Sequence, residues 1–327
     1  MNNPEKIIQY LTNHQATVNE IADFIGISRQ AIHRILNNLI NDGKISKVGK
    51  PPRVYYSVSE HTSKSTTIID KTPATDNNTK NVIDQNFLLI TPFGQKLDGW
   101  DGFVSWCIDR KQNINKMADR YSQTINKYKD HKKDGFINGM VKMTGTFSDV
   151  ALDEVFYIDF YSIEIFGKTK LGQMLLFAKQ SQDKILMNQI IDSIKSSVLR
   201  VIKKYNIDGV AFIPPTVKRE HQLMKQIQKR LNLDTKIIPL VKIKTPIIVP
   251  QKTLNKLEDR IINARETIVV DDNRKYKNIL IIDDAIGSGS TINEVAKKIK
   301  QKQICKGKII ALAITGSVKG FDVISEV

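Results

Sequence analysis

The sequence predicts an α/β protein: a small module of three helices and a hairpin, then a parallel sheet flanked by helices. Three observations carry this. Residues 1–58 hold three short segments with apolar residues at helical spacing, followed by a strand, a turn and a second strand. From Lys184 onward, helix-period segments alternate with continuous apolar runs, the pattern of parallel strands joined by crossover helices. Finally, Ile279–Thr291 reads ILIIDDAIGSGST, an apolar strand running into two aspartates, a loop of small residues and the start of a helix.

In the first module, Glu5–Asn13 places Ile7, Ile8 and Leu11 on one face, and Val18–Ile25 does the same with Ile21, Ala22 and Ile25. Gly26 breaks the pattern and Ser28 stands where an N-cap belongs. Arg29–Asn41 follows, with Ile32, Ile35, Leu36 and Leu39 facing inward. The tight turn between the second and third segments suggests helix-turn-helix, and KISKVGKPPRVYYSV after Asp42-Gly43 suggests a wing, so residues 1–58 resemble a winged helix. In that geometry the third helix enters the major groove of duplex DNA. Its outward residues are Ser28, Arg29, Gln30, His33, Arg34 and Asn37, with Lys50 and Arg53 on the wing. Arg reads guanine, Gln and Asn read adenine, and wing cations suit phosphates. Protein contact is the rival use of such a module.

Residues 59–86 are polar and predict a flexible tether. Residues 87–180 carry no motif. Their aromatics, Phe156, Tyr157, Phe160, Tyr161 and Phe166 among them, read as core, with a base-stacking platform or a hood over a ligand as the alternative. Asp153, Glu154, Asp159 and Glu164 read as a solvated face rather than a metal site, and Arg110-Lys111 and Lys129–Lys133 as charged surface, with a track for a nucleic-acid backbone as the alternative.

Residues 181–327 form the α/β module. A helix is expected over Ile185–Tyr205, a strand over Gly209–Ile213, a helix over Lys218–Leu231, a strand over Lys236–Val241 and a last strand over Lys308–Ala313. The loop Gly287–Thr291 lacks the third glycine of a dinucleotide fingerprint and the lysine of a P-loop. Its backbone can still hold a phosphate at a helix N-terminus. Carboxylates beside a phosphate repel it unless they grip sugar hydroxyls or act through a cation, and a phosphorylated ribose with Mg²⁺ meets both conditions.

Asp283-Asp284 followed by Gly287-Ser288-Gly289-Ser290-Thr291 resembles the signature of the type I phosphoribosyltransferases. A closer resemblance is to the ComF family, through Ile213-Pro214-Pro215, then Lys218, Arg219 and Gln222, and then Gln251, Leu254, Arg260 and Asn263. It covers roughly the last 120 residues. It implies a type I phosphoribosyltransferase-like parallel sheet in which Gly287–Thr291 takes the 5′-phosphate and Asp283 and Asp284 the ribose with its Mg²⁺. It further implies pyrophosphate near Lys218, Arg219 and Gln222, and a mobile flap bearing Gln251, Arg260 and Asn263. The family's Thr-Thr-Gly is here Gly-Ser-Gly, and its cysteine-rich zinc element is missing. No protein-only metal site is assigned.

The chain of 327 residues carries 50 Lys+Arg against 34 Asp+Glu, formally +16, which suits a polyanionic partner. Its cysteines, Cys107 and Cys305, stand far apart with no C-x-x-C pairing, which argues against a disulfide framework or a cysteine-type zinc site and makes a reducing cytoplasm the expectation. No signal pattern or long apolar run suggests a membrane. A reader joined to such a ligand domain resembles the purine-repressor architecture. It implies a homodimeric DNA-binding regulator responsive to phosphoribosyl pyrophosphate or a related nucleotide. An active phosphoribosyltransferase and a ComF-like protein of DNA uptake or processing are the alternatives.

Overall fold

The computed structural model describes residues 2–12, 14–59, 75–217 and 219–317, which fall into two compact units, Met1–Thr72 and Pro73–Val327.

The first unit contains α1 (Asn3–Leu11), α2 (Val18–Ile25), α3 (Arg29–Asn41) and the antiparallel hairpin β1 (Ile45–Lys50) and β2 (Arg53–Val58). Local chemistry sets the helix ends. The amide of Asn2 donates to Glu5 Oε2 and that of Glu5 to Asn2 Oδ1, both at 3.0 Å, a capping box that starts α1 two residues before the expected Glu5. Thr17 and Glu20 repeat the device at α2, and Gly26, with φ at 78°, ends that helix in the left-handed region. Ile7, Leu11, Ile21, Ile32, Leu36 and Leu39 then meet Ile45 and Tyr56 of the hairpin in one core. This is the winged helix expected from the sequence.

The second unit opens with α4 (Asn77–Asn86), the hairpin β3 (Leu88–Ile90) and β4 (Lys96–Asp98), α5 (Gly99–Asp109) and α6 (Ile114–Lys129). It continues through β5 (Lys132–Lys133), β6 (Phe136–Asn138), α7 (Met140–Thr146), β7 (Glu154–Phe160), β8 (Ser162–Ile163) and β9 (Gly167–Lys168). Then come α8 (Lys170–Ser181), α9 (Lys184–Tyr205), β10 (Gly209–Phe212), α10 (Leu223–Leu231), β11 (Lys236–Ile238) and β12 (Leu240–Lys242). The last elements are α11 (Leu257–Thr267), β13 (Ile268–Val270), β14 (Ile279–Ile286), α12 (Ser290–Gln301) and β15 (Ile309–Gly316).

Among the described residues, seven strands make one sheet in the order β11-β10-β14-β15-β7-β6-β5. The first five in that order run parallel, and β6 and β5 add an antiparallel edge. Side chains alternate between its faces as strand geometry requires. Ile279 and Ile281 of β14 join a core with Ile83, Phe103, Tyr121 and Val295, whereas Leu280 and Ile282 join one with Leu175, Ile190 and Ile227. Helices therefore cover both faces, and the central strands β10, β14 and β15 carry long apolar runs, as parallel strands buried on both sides do.

The structure departs from the sequence expectation in four places. The tether expected over 59–86 overlaps α4, which Asp76 caps through a 2.9 Å bond from the Thr79 amide. Burial of Ile83, of order 1.5–3 kcal/mol, holds that polar helix to the unit. The region 87–180 is not separate from 181–327, because β7 pairs with β15 and carries β6 and β5 into the same sheet. The helix expected from Lys218 begins at Leu223, after a loop opened by Pro214-Pro215. The strand expected over Lys236–Val241 divides at Pro239, which has no amide to donate. β11 stays in the main sheet, and β12 pairs instead with β13.

Candidate functional site

Chain direction locates the site. From β10 the chain crosses through α10 to β11 on one side, and from β14 it crosses through α12 to β15 on the other. β10 and β14 are neighbours, so the two crossovers diverge between them and a crevice opens beyond their carboxyl ends, the usual ligand position in open α/β sheets. Asp283 and Asp284 follow Ile282, where the pairing of β14 with β10 ends, while β14 itself runs on beside β15 to Ile286.

Asp283 Oδ1 accepts from the Asp284 amide at 2.8 Å. Asp284 Oδ2 pairs with Lys179 Nζ of α8 at 2.7 Å, both side chains being mostly shielded at 16 % and 26 % exposure. The Lys179 carbonyl accepts from Arg219 Nη1, and Gln182 Oε1 accepts from the His221 amide at 3.0 Å. Gln222 Nε2 donates to the Val217 carbonyl at 2.9 Å. The loop after β10 is thus stitched to the end of α8, the helix whose Lys179 side chain reaches Asp284. Lys218 lies outside the described residues. Burial raises the pKa of Asp283, the charge of Asp284 adds to the rise, and Lys179 opposes it. Two acids so placed favour a partner that brings hydroxyl donors or positive charge.

The loop between β14 and α12 is tightly built. Ser288 and Ser290 are buried with their hydroxyls 2.8 Å apart, while Gly287 and Thr291 are partly exposed. Gly289 has φ at 86°, and a Cβ there would lie 2.4 Å from Met143 Sδ, so α7 packs directly on the loop. Asn293, fully buried, accepts from the Ala151 amide at 2.9 Å and donates to the Asp149 carbonyl at 3.0 Å. On the other side, the Ser317 amide donates to the Ile286 carbonyl at 3.4 Å, and Lys142 donates to Ser317 Oγ. Burial pushes the Lys142 ammonium down to about 8, with the nearby Arg260 charge contributing.

The flap residues come together. Gln251 Nε2 donates to the Arg260 carbonyl at 3.0 Å, Arg260 Nε to the Leu254 carbonyl at 2.6 Å, and Asn263 Nδ2 to the Val249 carbonyl at 3.5 Å. Lys242 adds a 3.3 Å bond to Asn263 Oδ1. Lys142, Lys179 and Lys242 carry no sequence signal, since each stands in an otherwise ordinary element, far along the chain from the partner it meets.

The other acids have structural partners. Asp153 accepts from the Ile309 amide at 2.8 Å, while Glu154 pairs with Lys308 at 3.9 Å, Asp159 with Lys132 at 2.9 Å and Glu164 with Lys127 at 3.0 Å. Among the described residues no cluster of three His, Cys, Asp or Glu could hold a metal by itself. Tyr157, Phe160, Tyr161 and Phe166 are buried, as core residues, and Phe156 is partly so.

In the first unit, Arg29, Gln30, His33, Arg34 and Asn37 are all exposed on α3, opposite Ile32, Leu36 and Leu39. Ser28 caps the helix by accepting from the Ala31 amide at 3.3 Å. Arg53 is exposed on the wing, and the Lys50 side chain lies outside the described residues. Among the described residues no helix is long and apolar enough to cross a membrane. A comparison with curated proteins finds none that matches the chain. Residues 5–46 match the family model for winged helix-turn-helix DNA-binding, so the helices and exposed polar face just described belong to a winged helix-turn-helix DNA-binding domain.

Proposed function

We propose that this protein is a DNA-binding regulator whose second unit binds phosphoribosyl pyrophosphate or a related nucleotide. The observation that carries the reading is the acid pair in the carboxyl half of β14, followed by a glycine-serine loop that opens α12 and paired with Lys179, whose carbonyl accepts from Arg219 of the loop after β10. The amides of Gly287–Thr291 would take the 5′-phosphate, Asp283 and Asp284 the ribose hydroxyls, and Lys218, Arg219 and Gln222 the pyrophosphate. Gln251, Arg260 and Asn263 would close over the ligand. The donor set fits Mg²⁺ arriving with the ligand, because Mg²⁺ is commonly held by one or two carboxylates plus phosphate oxygens. The ion would neutralise charge between the acids and the phosphates.

DNA is read by α3 and the wing, in a homodimer on two half-sites. Regulation requires the ligand to bind the two arrangements of the protein unequally. Titrating phosphoribosyl pyrophosphate with Mg²⁺ should therefore shift the affinity for operator DNA, and Asp283→Asn/Asp284→Asn should abolish the shift. Equal DNA affinity with and without ligand would overturn the regulatory role. Lys179 on the acid pair and Arg219 on the Lys179 carbonyl also suit a transferase that expels pyrophosphate. Pyrophosphate release from a panel of nucleobases would assign that activity. A marked preference for single-stranded over duplex DNA would assign the protein to DNA uptake or processing.

A further inference from the structure

We propose that Lys142 of α7 is the cation that neutralises the phosphate held by Gly287–Thr291, a role that rests on the ligand reading above.

The geometry converges on that loop from both sides. Met143, the next residue, packs on Gly289, which places this turn of α7 over the loop. Lys142 itself donates to Ser317 Oγ, and the Ser317 amide bonds the carbonyl of Ile286, the residue that leads into Gly287. Lys142 is thus one side chain removed from the backbone that starts the loop. Arg260 of α11, itself only 6 % exposed, is near enough for the two positive charges to repel. Two desolvated cations within electrostatic reach of each other are unfavourable in the free protein, and an anion near both reduces the repulsion. The same end of the sheet also holds two buried hydroxyls, of Tyr157 and Thr315, with no hydrogen-bond partner among the described residues. Tyr157 lies against Gly139, just before α7, and against Gly316, just before Ser317. Buried polar groups are seldom left so, and polar ligand or water at this end would supply what they lack.

A lysine kept here for packing and one kept for an anion behave oppositely on substitution. Burial depresses the Lys142 pKa, so its charge opposes folding at neutral pH, and an apolar side chain of similar length removes that opposition. The test uses the full chain, with calorimetric titrations of phosphoribosyl pyrophosphate with Mg²⁺, ribose 5-phosphate and inorganic pyrophosphate, and a thermal melt without ligand. Lys142→Met should weaken binding of both ribose phosphates roughly tenfold or more, the loss of one charged hydrogen bond, and should raise Tm. Lys142→Arg should keep most of the affinity. Arg219→Met should weaken pyrophosphate and phosphoribosyl pyrophosphate while leaving ribose 5-phosphate unchanged.

Unaltered ribose 5-phosphate binding in Lys142→Met, or a lowered Tm, overturns the assignment while leaving the acid-pair reading intact, provided Asp283→Asn/Asp284→Asn still abolishes binding. Loss confined to pyrophosphate places Lys142 at the other end of the ligand and overturns the assignment too. If the unaltered protein binds none of the three probes, the ligand reading fails and the role of Lys142 fails with it.

Discussion

At Asp283 the charge that the proposed ligand reading calls for works against stability. Burial and the Asp284 charge raise its folded pKa above the unfolded value, near 3.9 for an aspartate. The folded state therefore holds the proton more tightly, and stability falls as the pH rises from that unfolded value toward the folded one. Asp283→Asn keeps the acceptor for the Asp284 amide and removes the charge. Its Tm at pH 7 should exceed that of the unaltered protein, the gap should close at pH 4, and ligand binding should be lost; thermal melts at both pH values measure this. Gly289 is constrained twice, by φ at 86° and by the Met143 side chain. Gly289→Ala should destabilise the second unit by about 1–2 kcal/mol through backbone strain alone, more with the clash, and denaturant titration gives the value.

At the scale of elements, α3 owes its start to Ser28 and its orientation to Ile32, Leu36 and Leu39. Ser28→Ala should cost the first unit about 1 kcal/mol in chemical denaturation, because the Ala31 amide loses its acceptor. Arg34→Ala, at an exposed position, should leave stability within about 0.5 kcal/mol and weaken DNA binding instead. In the second unit, Asn293 ties α12 to the segment leading into β7 through two buried hydrogen bonds. Asn293→Ala strands the Ala151 amide and the Asp149 carbonyl and should cost about 2–4 kcal/mol, read from the denaturation midpoint. Because α12 begins at the glycine-serine loop, the same substitution should weaken ligand binding with no ligand contact removed.

For the whole molecule, the formal charge of +16 and the exposed cations of α3 and the wing predict strongly salt-dependent DNA binding. Arg53→Ala should reduce affinity similarly for all sequences and lower the slope of log K against log salt by about 1, in fluorescence anisotropy across a salt series. Gln30→Ala should instead relax the preference at one base pair, worth about 1–3 kcal/mol.

The helices of the first unit and the strand–acid–loop–helix of β14 and α12 were legible in the sequence, because caps, apolar periods and turn residues act over a few neighbours along the chain. The pairs Asp153 with Ile309, Lys179 with Asp284, and Lys142 with Ser317 were not. Neither was the place of β7 beside β15, which turned a region without motif into part of the central sheet. Those contacts join residues more than a hundred positions apart, and no local spacing rule selects a partner at that distance. Only closing the sheet and packing helices on both faces brings them together. The sequence by itself therefore determined the reading head, the acid pair and the small-residue loop. The tertiary structure decided that Lys179 meets Asp284 and Lys142 meets Ser317, because burial and chain crossing, rather than neighbouring residues, set where a lysine ends.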